Sequence, residues 1–258
     1  METVGTTTPI VLSLETATLG GSIFLGRGSE QLAARIGDPG VSQSSSLLSD
    51  INDCLEEAGV SLQKVDLFAC ASGPGSFTGL RIGIATLKAL AASLKRPCVG
   101  IPTLPAVAHA AGPSRATVAL LPAGRGEVFA QMFSVLEDGT VIELDDAAHL
   151  SPKKLVERYA APRNLRWAGS GADLHRDFLK SYAQQQGVDF ARQASESNFL
   201  PRMQGANIWQ LAAKEANLAK HVAALALQVF QAGKIQSPQS LSAIYVRPSD
   251  AELKQQCR

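Results

Sequence analysis

Residues 65–101 constrain this chain more than any other stretch. "VDLFACAS" is a continuous apolar run, "GPGSFTG" follows it, "LRIGIATLKALAASLK" is apolar on two sides, and "CVGI" closes the segment. A strand that is apolar on both faces belongs inside a sheet covered on each side, the usual environment of parallel strands. The stretch therefore reads as a strand at 65–72, a helix from about Thr78 to Lys95 and a strand at 98–101. A chain built around such a unit folds as an α/β protein.

The flanking segments extend this pattern. "IVLSLE" (10–15) and "GGSIFLG" (20–26) read as strands, and "EQLAARI" (30–36) as a third strand or a short helix. In 42–60, Leu47, Leu48, Ile51, Cys54, Leu55 and Ala58 fall at helical spacing, with serines for capping and Gly59 where a left-handed cap would sit. In the second half, 116–122 and 126–136 read as strands, and Asp138-Gly139 turns into another. A helix near 152–160 opens on Pro152, a strand follows at 165–169, a helix starts near Ala172, and a long helix is expected from 206 to 232. The Pro105–Pro113 stretch, with Gly112, is the expected domain break.

At 258 residues and 45% hydrophobic, the chain has enough apolar mass for one large or two smaller domains. Lys plus Arg is 24 against 23 for Asp plus Glu, so no basic surplus draws it to nucleic acid or anionic lipid. Any RNA contact is then local or supplied by a partner. Cys54, Cys70, Cys98 and Cys257 form no C-x-x-C and read as reduced thiols, which suggests a cytoplasmic setting. "METVGTTTP" lacks a basic stretch and an apolar core, so neither a signal peptide nor a membrane span is expected.

The loop at 69–79 fits none of the phosphate or nucleophile patterns. A P-loop needs Lys after its last glycine, but Gly79 is followed by Leu80. Gly73, Gly75 and Gly79 have the wrong spacing for a dinucleotide fingerprint, and Pro74 lacks the backbone donor a phosphate would use. Ser76 is not in a G-x-S-x-G elbow. The plain alternative is that the glycines permit a sharp exit from the strand and Ser76 or Thr78 caps the helix. His109, His149, His175 and His221 are far apart, without H-E-x-x-H spacing, so no metal site is expected.

The helix after the loop has one face of Leu80, Ile84, Leu87, Ala91 and Leu94. A second face carries Ile82, Ala85, Ala89 and Ala92, with Gly79 and Gly83 nearby. Two apolar faces mean either a sandwiched helix or one that offers its small residues to a partner helix. Pairing with the 44–57 helix makes Ser44, Leu48, Ile51, Gly79, Ile82, Gly83, Thr86, Ala89 and Leu90 the candidate partner interface. Ala89→Arg or Gly83→Arg is then expected to leave a folded monomer that cannot pair.

"SLETAT", "SSSLLSDINDCLEEAGV", "SGPGSFTGLRIGIATLKALA", "VGIPTLPAVA", "GRGEVFAQMF" and "YVRPSDAELK", in this order, resemble the TsaB (YeaZ) family. The resemblance implies an actin-like, Hsp70-like (ASKHA) α/β fold of two βββαβαβα-type domains, the second reduced. The first domain would comprise 1–104 and 206–232, the second 105–205, and 233–258 a C-terminal tail. It implies a non-catalytic scaffold that pairs with TsaD, helped by TsaE, for threonylcarbamoyl transfer to adenosine 37 of tRNA. It further implies a homodimer when alone, no cofactor held by this subunit, and ATP with magnesium in the complex.

Departures from the family pattern are Glu15 where Asp is usual, Gln43 before Ser44 where His is usual, and Pro122 in place of Asp. The competing reading is an independent small-molecule kinase or ATPase of the same fold. For it, Glu15, Thr16, Gly73, Gly75, Ser76 and Thr78 are the nucleotide-proximal candidates, with Glu15 toward magnesium and no evident base. Elsewhere, Arg125 with Glu127 reads as a surface ion pair and Trp209 as a helix anchor.

Overall fold

The computed structural model describes residues 8–161, 164–192 and 207–246. The chain divides into two compact units, Met1–Pro102 with Ala216–Ala243, and Thr103–Glu215 with Ile244–Arg258.

In the first unit, β1 (Ile10–Glu15), β2 (Ser22–Arg27) and β3 (Glu30–Ile36) form an antiparallel meander, so 30–36 is a strand. Helix α1 (Gln43–Glu57), β4 (Leu67–Gly73), α2 (Phe77–Leu94) and β5 (Cys98–Pro102) follow, giving sheet order β3-β2-β1-β4-β5. β1 pairs parallel with β4, and β4 with β5. Alternation along β1 sends Ile10, Leu12 and Leu14 into a core shared with Leu47, Ile51, Phe68, Ile84 and Leu87 of the strands and of α1 and α2. On the opposite face the Ser13 hydroxyl donates to the Ala219 carbonyl of α7 (Leu218–Gln231) at 2.6 Å. β1 is thus covered on both sides, which is why all six of its residues are buried. Fully burying a side chain such as Leu80 or Leu87 contributes about 1.5–3 kcal/mol.

The second unit opens with α3 (Thr103–Ala110), then β6 (Ser114–Gly124), β7 (Glu127–Val135), β8 (Val141–Glu143) and β9 (Ala148–Leu150). Helix α4 (Pro152–Tyr159), β10 (Asn164–Ala168), α5 (Ser170–Leu174), α6 (Arg176–Gln185), β11 (Asp189–Arg192) and β12 (Ile208–Leu211) complete it. The sheet runs β11-β12-β10-β6-β7-β8, with β9 also on β7. The stretch β8-β7-β6-β10-β12 repeats the first unit's order, with the antiparallel meander followed by parallel strands. Trp167 and Trp209 meet edge to face at 5.1 Å in the core, and Tyr182 stacks on Trp209. Arg166 is buried and donates from Nη1 to the carbonyls of Ala111, Gly112 and Pro113 at 2.7, 3.1 and 3.0 Å. A cation there meets the negative end of α3, and burial lowers its pKa.

Several expectations are corrected. The expected 206–232 helix is two elements: β12 pairs with β10 and β11, and α7 starts only after Asn217, whose side chain accepts from Lys220 N at 3.1 Å. Trp209 therefore anchors a strand, and 208–215 belong with the second unit. The Pro105–Pro113 break is occupied by buried α3, whose first turn tolerates Pro105, and the units separate at Pro102/Thr103. The second unit is not reduced in its sheet, which has seven strands against five. Residues 233–243 are no free tail, because Leu241, 2% exposed, fills the first unit's core.

Candidate partner-docking site

Glu15 ends β1 in the middle of the sheet with 1% of its surface exposed. Its Oε1 accepts from Thr18 N at 2.8 Å and its Oε2 from the Thr18 hydroxyl at 2.5 Å. Burial pushes the carboxyl pKa up, while the bonds from Thr18 and the Ala17 backbone pull it down. The carboxylate is closed within its own turn.

Thr16 fixes what packs next to it. A Cβ at Gly79 would collide with the Thr16 carbonyl, and one at Gly83 with the Thr16 hydroxyl. These two glycines let α2 lie directly on the end of β1. Ser76 N donates to the Ala17 carbonyl at 2.7 Å, and Ser76 Oγ caps α2 by accepting from Gly79 N at 3.2 Å. Glu15, Thr16, Gly75 and Ser76 are thereby brought together, Gly75 lying against Ala17. Gly73 is buried at the end of β4 and joined to Pro74 by a cis peptide, and Thr78 is exposed in the first turn of α2. A pocket lined by Glu15, Thr16, Arg35, Gln43 and Asp50 admits about one water molecule.

The candidate interface residues divide by direction. Ser44 and Leu48 of α1 are exposed, Leu48 by 67%, and so is Ala89 of α2. Ile82, Thr86 and Leu90 are half-buried. Ile51 lies in the core at 4% exposure, and Gly79 and Gly83 are buried against Thr16, so these three cannot meet a partner. Gly83→Arg would therefore break the fold rather than pairing alone. Ala85 and Ala92, absent from the candidate set, are exposed beside Ala89, one turn before it and one turn after it. Their two-position offset from the Leu80–Leu87 face was the available signal. Thr18 was also missed as the partner of Glu15, although a threonine three residues past a strand-end carboxylate is the pattern of such a turn.

Helix α2 is long and apolar enough to cross a membrane by length and composition. Its apolarity has another use here, since Leu80, Ile84, Leu87 and Ala91 fill the first unit's core. Cys54, Cys70 and Cys98 are free and buried, burial pushing Cys70 up to about 12, and Cys257 lies outside the described residues. Glu127 Oε2 lies 2.8 Å from His149 Nε2. Among the described residues no three His, Cys, Asp or Glu side chains gather to hold a metal.

Two α/β units with one strand order, the first presenting an exposed helix pair, define an actin-like (ASKHA) protein. The family described as "TsaD: tRNA N6-adenosine threonylcarbamoyltransferase" matches residues 42–246, and the chain belongs to that family. Within it, the chain is 34% identical over 116 residues to the tRNA threonylcarbamoyladenosine biosynthesis protein TsaB of Escherichia coli, covering 43% of this chain and 50% of that protein. It is 35% identical over 106 residues to TsaB of Haemophilus influenzae, covering 39% and 42%. Similarity to the transferase of Protochlamydia amoebophila, 43% identical, extends over 61 residues, 24% of this chain and 18% of that one. The chain thus spans half or less of the length of these curated relatives. The solved YeaZ from Pseudomonas aeruginosa shares the fold, with a TM-score of 0.69 and 23% identity over 92% of this chain and 99% of that one.

Proposed function

We propose that this chain is a non-catalytic partner subunit in tRNA threonylcarbamoyladenosine synthesis. In this reading it docks on TsaD through the outer face of α1 and α2 and, with TsaE, enables threonylcarbamoyl transfer to adenosine 37 of tRNA. The names of its TsaB relatives support the process.

The observation that carries the non-catalytic part is the state of Glu15. A magnesium ligand in a kinase must offer oxygens to the ion, whereas both oxygens of Glu15 are engaged by Thr18 and the group is desolvated. The docking part rests on Leu48, Ala85, Ala89 and Ala92, exposed apolar or small side chains on which another helix can lie closely. Near-zero net charge favours a division in which the partner supplies most of the tRNA affinity, with ATP and magnesium held in the complex.

Size-exclusion chromatography with light scattering, on the chain alone and with TsaD of the same organism, tests this together with a transfer assay on tRNA. A heterodimer that alone modifies tRNA is expected. ATP turnover by the isolated chain, with no complex, would overturn the reading.

A further inference from the structure

Helix α2 carries two cations. Arg81 lies over the Phe77 ring at 3.8 Å. Lys88, at the middle of the helix, points to a different part of the chain: its Nζ donates to the Leu241 carbonyl at 3.1 Å and to that of Gln239 at 3.5 Å.

Those carbonyls belong to the stretch after α7, which lies along the free edge of β5. Gln236 N donates to the Cys98 carbonyl at 3.1 Å, Gly100 N donates to Gln236 Oε1 at 3.1 Å, and the Cys98 thiol faces the Gln236 carbonyl at 3.6 Å. One glutamine thus supplies two successive ladder partners, one from its backbone and one from its side chain. Leu241 then enters the core over Gly100, where a Cβ would collide with its methyl group.

Lys88 is one turn from both Ala85 and Ala92 and adjacent to Ala89. A released lysine has the reach to lie across that face, and an unpaired ammonium opposes burial in a helix contact. We infer that residues 234–243 form a strap that holds the Lys88 ammonium away from the Ala85–Ala89–Ala92 face, making Lys88 and the strap positioning elements for docking. The inference rests on the pairing with TsaD proposed above.

The test compares TsaD binding by the full-length chain, its Gln236→Ala variant, and Gln236→Ala combined with Lys88→Met, alongside hydrogen exchange at the Gly100 amide. Gln236→Ala should speed exchange at Gly100 and weaken binding about tenfold or more, and Lys88→Met should restore most of that binding, because the methionine has similar bulk without charge. Unchanged binding after strap release, or no restoration by Lys88→Met, overturns the inference. Failure of the intact chain to bind TsaD overturns the pairing and the strap's docking role with it; fast exchange at Gly100 in the intact chain rejects the strap itself.

Discussion

In the first unit, the chain leaving β1 folds back so that Glu15 bonds Thr18, and Thr16 is pressed between Gly79 and Gly83 of an 18-residue helix. In the second, the chain leaving the corresponding strand β6 makes an open turn. Gly124, Arg125 and Gly126 all have positive φ, and a Cβ at either glycine would meet open space. Both units nonetheless bring a glycine hard against the first strand, since a Cβ at Gly169 would strike the Leu120 carbonyl. Close approach of chain to central strand is therefore a property of the architecture. The sealed carboxylate and the long two-faced helix are particular to the first unit, and that is where the proposed docking face lies.

The strongest way to break this contrast is to separate the inner and outer sides of α2. Ala89→Arg should leave stability within about 0.5 kcal/mol of the parent yet eliminate the TsaD complex on gel filtration. Gly83→Arg should fail to fold, shown by loss of its helical circular dichroism. A complex retained by Ala89→Arg would remove the docking face from α2.

Next in size is Trp167→Ala, expected to cost the second unit about 3–5 kcal/mol in denaturant unfolding. Exchange of amides in β1 and β4 should stay slow if the units are separate cores. Gly79→Ala should take about 1–3 kcal/mol from the first unit, because the Thr16 carbonyl just past β1 has to move.

The smallest effect is a difference in pH response. Burial raises the pKa of Glu15 in the fold, so the folded state holds its proton more tightly, and the first unit should lose stability as pH rises from about 4.5 toward that raised value. His175 in the second unit is shifted the other way, mainly by burial, so its contribution should be lost as pH falls below 6.5. Hydrogen exchange against pH should show opposite slopes in β1 and β10, abolished separately by Glu15→Gln and His175→Asn.

The elements that could be read from sequence are those whose signals are local. Gly59 has the left-handed φ its position required, and Pro152 and Ser151 open α4 as a proline start and cap. Failures came where one pattern serves two structures. "IWQL" continues a helical spacing but pairs as a strand, a tertiary choice, although Asn217 carried the cap signal for the true helix start. At the candidate site, spacing identified a second face on α2 but could not separate small residues that admit Thr16 from small residues left outside. That distinction depends on where β1 ends in space, and only Thr16 itself reveals it.

The distribution of aromatic side chains has an optical consequence. Both tryptophans and all three tyrosines, Tyr159, Tyr182 and Tyr245, fall in the second unit, and the first has none. Intrinsic fluorescence of this protein is therefore a one-unit signal. A tryptophan introduced at Phe68 or Leu48 would give the first unit a colour of its own, from its core or from its proposed docking face, against a background that already reports the other half.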